Sequence, residues 1–149
     1  MASRAMTQET FSPALLSRWK QLNEKLLAIG NAFPEANYDC RPAERVRSFA
    51  DVFRHLAFWN QYVAGSARGS NPAGGPNELS AKEYPGKKQV LGIFETTAVE
   101  SAAALEQGVS AGKEELCLDF LQHSAEHYGQ LVVYCRLNGI VPPASLAAE

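Results

Sequence analysis

Four stretches of this chain place apolar residues at steps of three and four, and that spacing dictates a protein built from amphipathic helices. In the first stretch, roughly 13–29, Leu15, Trp19, Leu22, Leu26 and Ile29 follow at heptad-like intervals. Ser12 is a candidate N-cap, Pro13 sits where a first helical turn tolerates it, and Gly30 is the expected stop. The second, roughly 49–65, opens on a capping-box-like Ser48 and Asp51. It carries Phe49, Val52, Phe53, Leu56, Trp59 and Val63 and is expected to stop at Gly65. The third, roughly 87–107, has a weaker stripe of smaller residues: Val90, Leu91, Phe94, Thr97, Ala98, Ser101 and Leu105. The fourth, roughly 113–138, aligns Leu116, Phe120, His123, His127, Leu131 and Tyr134/Cys135 on one face. Asn138-Gly139 gives it a C-cap, and Pro142-Pro143 forbids continuation.

With no strand-pair signal and no internal repeat, the expected fold is all-α, a four-helix bundle with a long connection between helices two and three. That connection, 66–86, is rich in Gly, Ser, Asn and Pro. A structureless loop of ~20 residues needs a reason in a compact domain. A helix of ~17 residues is ~25 Å long, so ~20 extended residues span its length and permit helices two and three to run parallel. In the irregular stretch 31–47, Phe33 and Tyr38 are expected to pack down. The length, 149 residues, favours one domain over 1–149, with flexible termini at about 1–11 and 144–149.

Composition narrows the function classes. The formal net charge is −2 and no basic stripe stands out, so no nucleic-acid partner is expected. No stretch approaches the ~18–20 apolar residues of a membrane span, and the first ten residues, MASRAMTQET, contain no apolar signal-peptide core. Cys40, Cys117 and Cys135 are odd in number and show no CxxC spacing, which argues against a disulfide framework and for a reducing, cytoplasmic location. Cys117 and Cys135 read as small buried hydrophobes, and Cys40 as the more accessible thiol.

The strongest chemical signal is the placement of the only three histidines. His123 and His127 are four apart and project from one face of a helix, the apolar one. His55 lies beside Val52, Leu56 and Trp59, on or next to the second core stripe. Imidazoles from helices packed ~8–10 Å apart can meet between them. Singly, each is more readily a hydrogen-bonded core histidine than a metal ligand. Together they crowd three rings that each demand a polar partner, a demand that a divalent cation meets at once. Residues 123–127 also read H-x-x-E-H, the inverted zinc-peptidase pattern. The chain is too small and too plainly a bundle for a peptidase cleft, and Glu126 is offset by about 100° from the histidine face. Glu126 is nonetheless the one catalytic candidate. Asp51 and Asp119 each precede a histidine by four residues, within reach to orient His55 and His123, although helix N-terminal turns favour acidic residues anyway.

Arg41-Pro42, Val46-Arg47-Ser48-Phe49, Arg54-His55-Leu56-Ala57 and, most specifically, His123-Ser-Ala-Glu-His127-Tyr-Gly-Gln-Leu131 continuing to Arg136, Gly139 and Pro142-Pro143 together resemble the DinB/YfiT-like metalloenzyme family. The resemblance implies a four-helix bundle with a metal triad mapping onto His55, His123 and His127, and it implies a homodimer. Members with known chemistry include metal-dependent thiol transferases and thiol-dependent isomerases.

Three protein nitrogens leave a coordination position open, the pattern of catalytic sites. Imidazoles suit several transition metals, with zinc or nickel expected here. The leading expectation is a metal-dependent transferase acting on a small molecule with a low-molecular-weight thiol as cosubstrate. Trp59, Tyr62 and Tyr128 are candidate pocket walls, with core or interface packing as their simpler role. A metal-dependent hydrolase with Glu126 or an aspartate as base is an alternative, and a non-catalytic metal-binding or sensor module is another.

Overall fold

The computed structural model describes residues 7–146, and the flexibility expected of 1–6 and 147–149 lies outside them. Four long helices carry the fold: α1 Pro13–Ala32, α2 Phe49–Ala67, α3 Lys87–Gln107 and α4 Glu114–Leu137. A one-turn helix, α5 Pro143–Leu146, follows. Two short strands, β1 Gln8–Glu9 and β2 Val109–Ser110, pair antiparallel.

The helix starts follow local chemistry. The Ser48 hydroxyl accepts the Asp51 backbone N–H at 3.0 Å, capping α2. α1 begins at Pro13, whose fixed φ suits a first turn, while Ser12 makes no side-chain cap. α4 stops at Leu137 with Asn138 as its expected C-cap, but the ends of α1 and α2 depart from expectation. α1 runs through Gly30 to Ala32, closing with the Phe33 N–H on the Ile29 carbonyl. Gly30 is there for packing, since a Cβ would stand 2.5 Å from Leu91 Cδ2 and 3.0 Å from Phe53. Likewise α2 passes Gly65 to Ala67, and Ser70 and Pro72 fold back onto that glycine. Pro143 ends nothing further but opens α5, as proline does at a first helical position.

The strand pair had no sequence signal, because two residues cannot show a period of two. It anchors residues 8–9, and the buried Phe11 beyond them, against the turn after α3, so this part of the segment read as a flexible terminus is held. Gly108 makes the approach possible. Its φ is 113° and a Cβ would lie 2.9 Å from the Glu9 carbonyl oxygen.

The helices close a ring in the order α1, α3, α2, α4. α2 and α3 are parallel: Phe53 meets Phe94 edge-on near their starts, and past their ends the Ser110 hydroxyl donates to the Ala67 carbonyl. The long connection therefore returns along α2. Leu79 N–H donates to the Arg54 carbonyl, and the buried Arg54 guanidinium donates to the carbonyls of Tyr84 and Pro85. α1 runs opposite to α3, with Trp19 Nε1 donating to Ser101 Oγ at one end and Lys87 Nζ donating to the Asn31 and Phe33 carbonyls at the other. That ammonium also complements the negative end of the α1 dipole. α4 runs opposite to α2, with Phe49 near Tyr134 and Trp59 stacked on Phe120.

The core divides along the bundle. One apolar cluster gathers Phe33, Phe49, Phe53, Phe94 and Leu131, and Tyr38 joins it as expected. The other gathers Phe11, Trp19, Val63, Leu105 and Cys117. Between them along the helices fall polar side chains: Asn23 on α1, Asn60 on α2, His123 and His127 on α4. The bundle thus carries a polar layer between two apolar ones, and the imidazoles occupy it.

Candidate metal centre

His55 from α2 and His123 and His127 from α4 converge through one atom each. His55 Nε2 and His127 Nε2 both lie 3.0 Å from His123 Nε2, and the three potential ligand atoms fall within 4.8 Å of one another. Imidazole ligands at ~2.0–2.1 Å in a tetrahedral shell stand roughly 3.3 Å apart, so the two 3.0 Å separations from His123 Nε2 are close to those of a shared small cation.

The outer ring nitrogens fix which way the lone pairs point. His55 Nδ1 lies 2.6 Å from the Asn77 carbonyl oxygen, which can only accept, so Nδ1 carries the proton and Nε2 presents its lone pair inward. His127 Nδ1 lies 2.8 Å from Gln130 Oε1, Gln130 Nε2 donates to the Tyr134 hydroxyl at 2.8 Å, and that hydroxyl donates to the Arg47 carbonyl at 2.6 Å. Because the last group accepts only, the chain has one polarity, and His127 Nδ1–H donates at its head. Two lone pairs therefore aim at one point, with His123 Nε2 between them. His123 Nδ1 is buried and has no partner. Facing lone pairs and an orphaned polar atom both cost free energy in a protein interior, and a divalent cation at the meeting point removes the first cost.

The electrostatics keep the rings neutral. Burial, reinforced by the charge of Arg47 and by the neighbouring imidazoles, pushes His55 down to about 4, against the ordinary 6.5. Burial and the His127 ring push His123 down to about 4. Burial also lowers His127, opposed by its bond to Gln130. Neutral imidazole is the form that binds metal.

The carboxylates do not take the places foreseen for them. Asp51 is engaged by Arg41 Nη2 at 2.8 Å and Arg54 Nη1 at 2.7 Å, and it is the Asn77 carbonyl that orients His55. Asp119 is exposed. Glu126 faces solvent and accepts from Gln122 Nε2. Among the described residues no carboxylate oxygen lies within 4.0 Å of an imidazole nitrogen. Of the expected walls, Trp59 stands edge-on to His55 and His123 and is stacked on Phe120, and Tyr62 leans on Trp59. Trp59 Nε1 donates to Asn77 Oδ1, tying wall and loop together. Tyr128 turns away to lie under the Lys25 ammonium, 4.2 Å from its ring centre. Cys117 and Cys135 are buried, Cys40 is half-buried, and none of the three belongs to the imidazole cluster.

The family model of the DinB superfamily matches residues 18–131. The chain belongs to the DinB superfamily. The DinB match runs from within α1 to within α4 and contains all three histidines as well as Asn77 and Gln130. It ends before Tyr134 and the Gly139–Pro143 exit. No curated protein matches the chain.

Proposed function

We propose that this DinB-superfamily protein is a metal-dependent enzyme that holds a divalent cation, zinc or nickel, on His55, His123 and His127 and uses a low-molecular-weight thiol as cosubstrate in group transfer to or from a small molecule. One observation carries the reading: His55 Nε2 and His127 Nε2 each lie 3.0 Å from His123 Nε2 while the Nδ1 protons of His55 and His127 are committed elsewhere. A cation bound there supplies the charge that favours thiolate over thiol at neutral pH. The protein's own residues do the rest. The Asn77 carbonyl and Gln130 orient two rings, Trp59 and Phe120 form an apolar wall, and three nitrogens leave a fourth position for the cosubstrate. The position of Glu126 supports transfer over hydrolysis, since its carboxylate points to solvent. Free cysteines fit a reducing compartment such as the cytoplasm. The family resemblance carries a homodimer with it, which sedimentation velocity decides.

The test is a zinc and nickel titration of protein purified without a polyhistidine tag, followed by turnover assays with several biological thiols. Uptake of one ion per chain, abolished by His123→Ala, and turnover only with added thiol are expected. Turnover without thiol would make the protein a hydrolase. Uptake with no turnover under any thiol would make it a binding module, and absence of uptake would overturn the reading.

A further inference from the structure

The segment before α2 carries three arginines within seven residues, Arg41, Arg45 and Arg47. With Asp51, Glu78 and Gln130 they line an open cleft of about 560 Å³, within the range of small-molecule sites. Its charge is unbalanced. The Asp51 carboxylate is divided between Arg41 and Arg54, so it cannot neutralise both. Glu78 stands 3.6 Å from Arg47 Nε, too far for a hydrogen bond. That Nε is buried and donates to nothing, although a buried donor without a partner is destabilising. Arg45 is exposed, and among the described residues it joins no ion pair. Its φ of 65° is a left-handed conformation rarely held by a residue with a side chain.

The cleft shares walls with the imidazole centre. Gln130 lines it and holds His127. Glu78 follows Asn77, whose carbonyl holds His55. The Arg47 carbonyl terminates the hydrogen-bond chain that starts at His127. A group seated among the arginines therefore lies beside the centre.

We infer that this cleft seats a small oxyanion group, a carboxylate or a phosphate, of the molecule whose other end reaches the three imidazoles, and that Arg47 is the guanidinium that takes it. The link to the imidazoles rests on the function proposed above; the oxyanion seat rests on the cleft's own charge. The planar guanidinium fork matches either group in a bidentate pair. Glu78, loosely placed against Arg47, is the internal competitor that the ligand displaces.

The test uses metal-free protein, with arginine side-chain N–H resonances followed during titration with inorganic phosphate and, separately, with propionate at constant ionic strength. Saturable movement of the Arg47 Nε–H signal is expected for at least one anion, and the tighter of the two identifies the group. Arg47→Gln, which keeps the backbone carbonyl that Tyr134 uses, should weaken binding at least tenfold. Glu78→Gln should tighten it several-fold, and Arg18→Gln on the exposed face of α1 should leave it unchanged. Movements that do not saturate, or that persist in Arg47→Gln, would overturn the inference. In metal-loaded protein, 3-mercaptopropionate should bind at least tenfold tighter than 2-mercaptoethanol, a preference lost in Arg47→Gln. Equal affinities would sever the cleft from the centre. Failure to take up metal counts against the proposed function alone, because the anion titration is made without metal.

Discussion

His123 sits between two rings whose tautomers are already decided, and the residues that decide them are where the proposal is most exposed. Gln130 reaches His127 on one side and Tyr134 on the other. Gln130→Leu should leave the helical circular dichroism unchanged and lower metal affinity about 10–100-fold, the usual effect of losing such a partner, as read by competition with a chromophoric chelator. Unchanged affinity would remove Gln130 from the centre. The depressed imidazoles give a second test. His55 and His123 titrate at about 4 in the fold against an ordinary 6.5, and His127 is lowered too. Between those values the unfolded chain binds more protons than the folded one. The metal-free protein should therefore be fully stable above pH 6.5 and lose stability as pH falls toward 4. Thermal melts from pH 7 to 5 should show a falling Tm, with a shallower slope in His123→Gln; parallel slopes would contradict the assignment. The histidines were legible in the sequence because three rare polar side chains fell on apolar helix faces. Gln130 was legible only as part of the run resembling the family and Tyr134 only as a residue on the fourth helix's apolar face, with no hint of the chain of bonds they form. Asn77 gave no signal, because its part is played by a backbone carbonyl in a loop, 22 residues from the ring it orients.

Helix existence and type followed from apolar spacing, and the end of α4 from its Asn138-Gly139 cap, but the ends of α1 and α2 did not. Gly30 and Gly65 look like stops because glycine commonly follows a helix, yet both lie inside, where neighbours press against the bare backbone. Gly30→Ala separates the two explanations. Propensity alone predicts a gain of about 1 kcal/mol. Contact with Leu91 and Phe53 predicts a net loss of about 1–3 kcal/mol, as overpacking does. Urea denaturation is expected to give the loss, and a gain would mean that Leu91 moves aside at no cost. The small residues of α3 had a similarly limited meaning in sequence. Ser101 turns out to accept from the Trp19 indole within the bundle, so its size and its polarity both serve α1–α3 packing.

The length of the connection permitted a parallel course of α2 and α3 without requiring it, and what secures that connection was not legible. Arg54, read only as part of a run resembling the family, is buried and ties Asp51, Tyr84 and Pro85 together. Arg54→Ala strips three acceptors of a charged donor and should cost about 3 kcal/mol. It should also raise hydrogen exchange at Tyr84 selectively, and a uniform change across the bundle would argue against an anchoring role. Helices, connection and polar layer together bring one imidazole from α2 to two from α4, and the functional reading depends on that convergence holding an ion. X-ray absorption at the metal edge of zinc- or nickel-loaded, untagged protein measures it most directly. The expected spectrum has three imidazole nitrogens at ~2.0–2.1 Å plus one exchangeable oxygen neighbour at a similar distance. A spectrum without imidazole scattering, or one unaltered in His123→Ala, would contradict the account.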